Sequence, residues 1–310
     1  MLINQESLNA LFVGFKATFK QGFDGAATAW PRVAMKVPSS TREEVYGWLG
    51  HFPKLREWVG PRVVNNLMAH GFTVKNRDFE ETISVPRNDI MDDQYGIFGP
   101  MFAEMGKAAA ELPDDLLFSL LASGFTAECY DGQFFFDTDH LVSDGETSTT
   151  ASNIQAGVGA PWFLLDCSRA MKPLIYQERM PFNNLVSKDR PNDDNVFFQK
   201  EYIYGLDGRA NAGFGLWQLA FASKAELNAE NYEAARVAMM SLTGETGRPL
   251  GIKPDTLVIP PSLEGAAMRL LNNGTRLVSE LDGSPLTAPV AVQNEWAKTA
   301  EIITSPWLAA

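Results

Sequence analysis

The stretch from Arg77 to Gly124 constrains this chain more than any other. It opens on an alternating run, Phe79 to Val85, in which the apolar side chains at 79, 83 and 85 fall on one face of a strand. Pro86 lacks the donor needed to continue a ladder and predicts the strand's end. Three acids follow, Asp89, Asp92 and Asp93, and suit the positive end of a helix dipole. Ile97, Met101, Met105, Ala108 and Leu112 then recur at spacings of three and four, and the run Ala108 to Ala110 favours helix. Pro113, with Asp114 and Asp115 behind it, reads as a restart of the helix. Leu116, Leu117, Leu120 and Leu121 continue one apolar side, and Gly124 reads as a C′ stop. A strand thus feeds a long, gently broken helix. It is a spine of small and flexible core residues that carries no catalytic group.

Both flanks of the spine are aromatic. The chain of 310 residues holds 20 Phe, 7 Trp and 7 Tyr, more than a single compact core usually needs, which fits contacts between subunits and an aromatic-rich core equally well. At the start, residues 4–21 read as an amphipathic helix with Ser7 as cap and a stripe of Leu8, Leu11, Phe12, Phe15 and Phe19. Residues 37–76 have no long helical period. They read as a protruding loop bearing Trp48 and Trp58, with Phe72 to Lys75 pairing back onto the strand at 79–85. Such a loop, with Arg56 and Glu57 beside Trp58, is suited to burial against a neighbouring subunit, the alternative being a loop folded onto its own domain.

Beyond the spine, Ser143 to Gly159 is rich in Ser, Thr and Gly and reads as a loop. Short apolar pieces at 162–165 and 174–176 read as strands. So do 196–204 and 214–222, joined by a turn region containing Gly205, Gly208 and Gly213. A helix over Tyr232 to Leu242, a buried strand at Thr256 to Ile259 and a helix capped by Ser262 form a small α/β layer. The end, Trp296 to Trp307, reads as a last strand or helix edge around Ile302 and Ile303.

The formal charge of −12 argues against tight nucleic-acid binding, because an acidic chain gains little from the release of DNA counterions. Cys129 and Cys167 are too few for a disulfide framework and fit a reducing compartment. No signal-peptide pattern and no apolar run of about 18 residues is present, so no membrane partner is expected. Among candidate chemical groups, Asp137, Asp139 and His140 form the best metal cluster, but three ligands this close rarely converge unaided, and a turn-capping role outweighs it. Asp166-Cys167-Ser168 lacks the glycine-flanked elbow of hydrolases. Gly244 to Gly251 lacks the Lys-Ser/Thr of a phosphate loop. No catalytic residue and no cofactor is expected.

Specific motifs resemble the major head subunit of Mu-like phages and prophages. They include Tyr46-Gly-Trp-Leu-Gly with Phe52-Pro-Lys-Leu-Arg-Glu-Trp, the segment Phe79 to Leu121, and Tyr130-Asp-Gly with Phe135 and His140. Further on come Pro161-Trp-Phe-Leu-Leu-Asp, Gly213-Phe-Gly-Leu-Trp-Gln, Arg248-Pro-Leu-Gly-Ile-Lys-Pro and Ser305-Pro-Trp-Leu. Residues 180–195 and 273–292 match least. The resemblance implies an α+β, Hong Kong 97-like capsid fold. It would comprise an N-terminal arm (1–37), an extended loop with strands (38–86), a peripheral domain with the spine helix (87–125 and 160–222) and an axial domain (126–159 and 223–310). It also implies pentamers and hexamers tiling an icosahedral head around double-stranded DNA. The scaffolding protein, head maturation protease and portal are its expected partners. The expected locations are the virion and, during assembly, the host cytoplasm. Trp48, Arg56, Glu57 and Trp58 are the candidate intersubunit contacts. The rival readings are an encapsulin-like compartment shell of the same fold and a metal-dependent enzyme built on Asp137, Asp139 and His140.

Overall fold

The computed structural model describes residues 4–49, 71–92, 94–143, 148–244, 247–281 and 284–308. Its first helix, α1 (Gln5–Gly25), is capped by Asn4 in place of Ser7. The Asn4 Oδ1 accepts from the Ser7 amide at 2.8 Å, and the Asn4 amide donates to the Ser7 hydroxyl at 3.1 Å. The expected stripe holds, with Leu8, Phe15 and Phe19 buried and Leu11 and Phe12 packed beside them. A short α2 (Trp30–Val33) and α3 (Arg87–Met91) precede the spine, α4 (Gly99–Ser123), against which α1 lies. Phe15 stacks on Phe102 with ring centroids 4.1 Å apart.

The spine differs from the sequence reading in three respects. It starts later, after α3 and a 3-10 turn (Gln94–Phe98), with Pro100 in its first turn. It runs on through Pro113, at the loss of one backbone bond. Its buried face is Phe102, Met105, Gly106, Ala110, Pro113, Leu117 and Leu121, while Ile97 and Met101 are exposed. Asp114 is buried on this helix and accepts the amides of Ala29 (3.0 Å) and Trp30 (2.6 Å), so the spine carboxylate caps α2. Burial pushes its pKa up. Gly124 ends the helix at φ −60°, not in the left-handed region. It is glycine there because a Cβ would stand 2.8 Å from the Phe136 ring.

The strands are β1 (Ala34–Pro38), β2 (Glu43–Tyr46), β3 (Phe72–Lys75), β4 (Arg77–Pro86), β5 (His140–Ser143), β6 (Ser148–Ala151), β7 (Ile154–Gln155) and β8 (Trp162–Leu165). They continue with β9 (Leu174–Met180), β10 (Val186–Lys188), β11 (Glu201–Phe214) and β12 (Ala220–Ser223), then α5 (Ala229–Met240), β13 (Thr256–Ile259) and α6 (Glu264–Leu271). β14 (Thr275–Leu281), β15 (Ser284–Gln293) and β16 (Glu301–Thr304) follow. One sheet has the order β1-β9-β11-β10, with β4 also paired to β11 in antiparallel register from Glu201↔Pro86 to Ala210↔Arg77. A second sheet has the order β16-β13-β8-β12-β7, and all four residues of β8, β12 and β13 are buried. Within residues 160–222, β9, β10 and β11 join the first sheet, and β8 and β12 the second.

Four further expectations change. β3 pairs with β2, not with the strand at 79–85. The residues 205–213 are no turn but the middle of β11, one strand of 14 residues. Its glycines make room for neighbours, since a Cβ on Gly208 would lie 2.5 Å from the Phe182 ring and one on Gly213 would lie 2.6 Å from Val74. The described part of Ser143 to Gly159 contains β6 and β7. Ser262 makes no side-chain cap, because a 3-10 turn (Pro261–Leu263) leads into α6.

Candidate assembly surfaces

The stem of the 38–76 loop is built around buried amides. Tyr46, at the end of β2, donates its hydroxyl to Gln177 Oε1 on β9 at 2.8 Å. The Gln177 amide donates to Val74 O (3.1 Å) and Asn76 Oδ1 (2.8 Å), and Asn76 donates to Ser39 Oγ (2.9 Å) and Thr41 O (3.0 Å). Gln177 and Asn76 are buried, so each polar atom needs these partners. Burial pushes the Tyr46 phenol well above its usual pKa. On the outer side of the stem, Glu44 Oε1 accepts the amides of Ser40 (2.8 Å) and Thr41 (3.2 Å) and the Ser39 hydroxyl (2.9 Å). The Ser40 amide, the Ser39 hydroxyl and the Thr41 amide together lower its pKa to about 2. β2 and β3, which flank residues 50–70, are therefore fixed to the body of the protein.

Of the four contact residues expected on this loop, Trp48 is half-buried, edge-on to Tyr46 with centroids 6.1 Å apart, and packs against the core. Arg56, Glu57 and Trp58 lie outside the described residues.

The candidate metal cluster of Asp137, Asp139 and His140, outweighed in the sequence by a turn-capping role, does not form among the described residues. Asp139 is exposed, and Asp137 turns its Oδ1 to the Thr138 amide at 2.7 Å. His140 is fully buried, stacks on Trp217 with centroids 4.0 Å apart and hydrogen-bonds through Nδ1 to Asp131 Oδ2 at 2.8 Å. Asp131 Oδ1 accepts from the Cys129 thiol (3.0 Å) and the Gln133 amide (3.1 Å). Burial opposes ionisation of Asp131, yet the His140 and Cys129 hydrogen bonds outweigh it and hold its pKa below normal. Burial and the Asp131 charge push the Cys129 thiol far up, so it stays protonated. Cys129, Asp131 and His140 bring ligand-type atoms within 4.8 Å of one another, but Asp131 already receives three donated hydrogens, and the set closes a turn at Gly132 (φ +82°). Sequence spacing paired His140 with its neighbours at 137 and 139. The bend of the turn gives it Asp131, nine residues back.

Asp166 is buried, accepts from Ser168 and from the Lys253 amide, and is paired with Arg169 at 3.1 Å. Cys167 beside it is also buried, with its thiol pushed up to about 12, chiefly by desolvation. This trio ties two loops together and offers no activated nucleophile. No helix among the described residues is long and apolar enough to cross a membrane.

Two sheets, a long spine with a helix laid along it, and a fixed β2–β3 stem make a scaffold in which Gln177, Asp131 and Asp166 are held in structural hydrogen bonds. A family model described as Mu-like prophage major head subunit gpT matches residues 8–308. The chain belongs to that family. It is 45% identical over 279 residues to the major capsid protein of Escherichia phage Mu, covering 88% of this chain and 91% of that protein. It is 40% identical over 304 residues to the Mu-like prophage FluMu major head subunit of Haemophilus influenzae, covering 96% of each. Among solved structures, the procapsid of bacteriophage JBD30 superposes with a TM-score of 0.84 at 41% identity, over 98% of this chain and 100% of that one. The fold is thus the α+β phage capsid fold implied by the motifs, and the chain is a structural major capsid protein of a phage head. The family is not enzymatic, which overturns the metal-enzyme alternative.

Proposed function

We propose that the chain assembles in the host cytoplasm as pentamers and hexamers of an icosahedral head and encloses double-stranded DNA without binding it tightly. The observation that supports this best is the match along nearly the whole chain to a procapsid subunit at 41% identity. The charge of −12 fits the same reading, since DNA must be packed and released without adhering to the shell. A scaffolding protein, a head maturation protease and a portal are the partners such a head requires. In this reading residues 87–125 form a peripheral unit around the spine, and residues 223–310 form much of an axial unit. The 38–76 loop clasps a neighbouring subunit, with Trp48 at its base and Arg56, Glu57 and Trp58 as contacts farther along. Tryptophan and arginine are the residue types that dominate interface energetics.

Negative-stain microscopy of the protein expressed with its adjacent genes tests this. Closed shells of uniform size are expected. Light scattering that stays monomeric across concentration, with scaffold present, would sink it.

A further inference from the structure

We propose that Asn273 is a self-modification site: the main-chain nitrogen of Gly274 attacks its side-chain amide, and the folded subunit converts the residue to isoaspartate and aspartate. This goes beyond the assembly reading, since the chemistry needs only the chain and water.

Asn273-Gly274 is the one Asn-Gly step in the sequence. It lies in the turn joining α6 to β14, and both residues are exposed. Glycine has no Cβ to shield its nitrogen from a neighbouring carboxamide. Among the described residues, no hydrogen bond engages the Asn273 side chain or the Gly274 amide. Asn272 differs, since its Nδ2 is turned back onto Met268 Sδ at 2.8 Å and its successor carries a side chain.

The main chain around this step is gripped by Asn294, a buried residue just past the end of β15. Its Nδ2 donates to Leu270 O (2.8 Å) and Asn273 O (2.7 Å), and its amide donates to Gly274 O (3.0 Å). The Asn273 carbonyl belongs to the same peptide group as the Gly274 nitrogen. When that nitrogen gives up its proton, the negative charge spreads onto Asn273 O, where the Asn294 donor already stands. A donor fixed at the place where charge develops stabilises it without reorganisation. Asn294 is thus a positioning residue that favours the nucleophilic form of the peptide and does not itself react.

The steps balance with water as the only co-reactant. Hydroxide or a buffer base takes the Gly274 amide proton. The nitrogen lone pair forms a bond to Asn273 Cγ and closes a succinimide, while the Cγ–Nδ2 bond breaks and ammonia leaves; the reacting groups are adjacent in one chain, so no encounter is needed. Water then opens the ring. Cleavage between nitrogen and Cγ gives aspartate. Cleavage between nitrogen and the main-chain carbonyl carbon gives isoaspartate, with the chain rerouted through Cγ and the oxygen that Asn294 held now part of a free carboxylate. Either product sets a negative charge beyond the C-terminal end of α6, the unfavourable end of its dipole.

Peptide mapping tests this. The unassembled full-length subunit is held in mildly alkaline buffer, and timed samples are digested with trypsin beside an unincubated control. Cleavage after Arg269 and Arg276 releases residues 270–276, whose asparagine, aspartate and isoaspartate forms are separated by chromatography and identified by mass. Isoaspartate and aspartate are expected at 273 before any other asparagine of the chain converts, sooner as pH is raised, and at least as fast as in a capped synthetic peptide of the same residues. Earlier conversion of another asparagine, or faster conversion of the free peptide, overturns the proposal. Gly274→Ala tests the attack itself. A Cβ there meets nothing within 4 Å, and Gly274 is not in the left-handed region, so the fold accepts it. Conversion is expected to fall at least tenfold while the thermal melt stays where it was. A parental rate of conversion overturns the proposal.

Discussion

Gly106 of α4 lies against Phe19 of α1 so closely that a Cβ on the glycine would stand 2.0 Å from the Phe19 carbonyl oxygen. Gly22 of α1 meets Ala103 of α4 in the same way, again at 2.0 Å. The two helices therefore cross backbone to backbone, and the first helix is seated on its own spine.

Gly106→Ala is expected to destabilise the unassembled subunit by about 1–3 kcal/mol, the range for overpacking a tight contact. Alanine's advantage in a helix, about 1 kcal/mol over glycine, acts in the opposite direction and is outweighed. Urea unfolding measures the balance. An unchanged or higher midpoint would mean that α1 does not rest on α4.

Glu44 gives the loop stem a pH dependence. Its pKa falls from the ordinary 4.5 to about 2 on folding, so the stabilisation it brings is fully present above 4.5 and is lost as pH falls toward 2. The protection of the Ser40 and Thr41 amides against hydrogen exchange, taken relative to the intrinsic rate at each pH, is expected to fall as pH drops through that window. In Glu44→Gln the two amides are expected to be less protected at pH 6 and their protection to show no such transition. Protection that is flat in the parent would remove the carboxylate from its role as clamp.

The spine and its feeding strand were legible in the sequence because alternation and helical spacing extend over many residues there. The buried face of α4 was legible only in part: Met105, Leu117 and Leu121 are buried as the spacing indicates, but Phe102, Gly106 and Phe118 were not picked out. Periodicity ranks residues by hydrophobicity, and so favours Ile97 and Met101, whereas the close crossing at Gly106 decides which side faces α1. The glycines of β11 misled for a related reason: Gly208 yields space to the ring of Phe182, a contact that local turn rules do not describe. The loop stem depends on Gln177, which comes from β9 about a hundred residues beyond Asn76, and no local pattern signals such a buried amide. His140 was singled out by residue type, but its partner Asp131 emerged only from the bend of the chain.

His140→Ala is expected to cost the subunit about 3 kcal/mol or more. It empties a buried site stacked on Trp217 and strips Asp131 of one hydrogen-bond donor. Asp139→Ala, at an exposed position, is expected to stay within about 0.5 kcal/mol of the parent. Thermal melts of the unassembled subunits compare the two. Equal melts would show that His140 holds no structure. The lowered pKa of Asp131 adds stability above its ordinary value near 3.8 that is lost as pH falls below it, so the cost of His140→Ala is expected to shrink in acid.

Tyr46 and Trp48 separate the stem's two roles. The Tyr46 hydroxyl is the donor that satisfies Gln177 Oε1 inside the protein, so Tyr46→Phe leaves a buried acceptor unpaired at a cost of about 1–3 kcal/mol to the subunit itself. Trp48 is only half-buried, and its edge-on contact with Tyr46 is worth about 0.5–1.5 kcal/mol beyond area. Trp48→Ala should therefore lower the subunit's melt as well, because the ring also packs on the core, and should reduce shell yield through the tilt of the loop that follows. Trp58→Ala, on the proposed clasp, should leave the melt unchanged and lower only the shell yield. Circular dichroism melts set beside sedimentation of assembled shells resolve the three variants. If Trp58→Ala unfolds the subunit, or assembles as well as the parent, the loop is not an intersubunit clasp. If Tyr46→Phe melts with the parent, the amide network does not fix the loop's base.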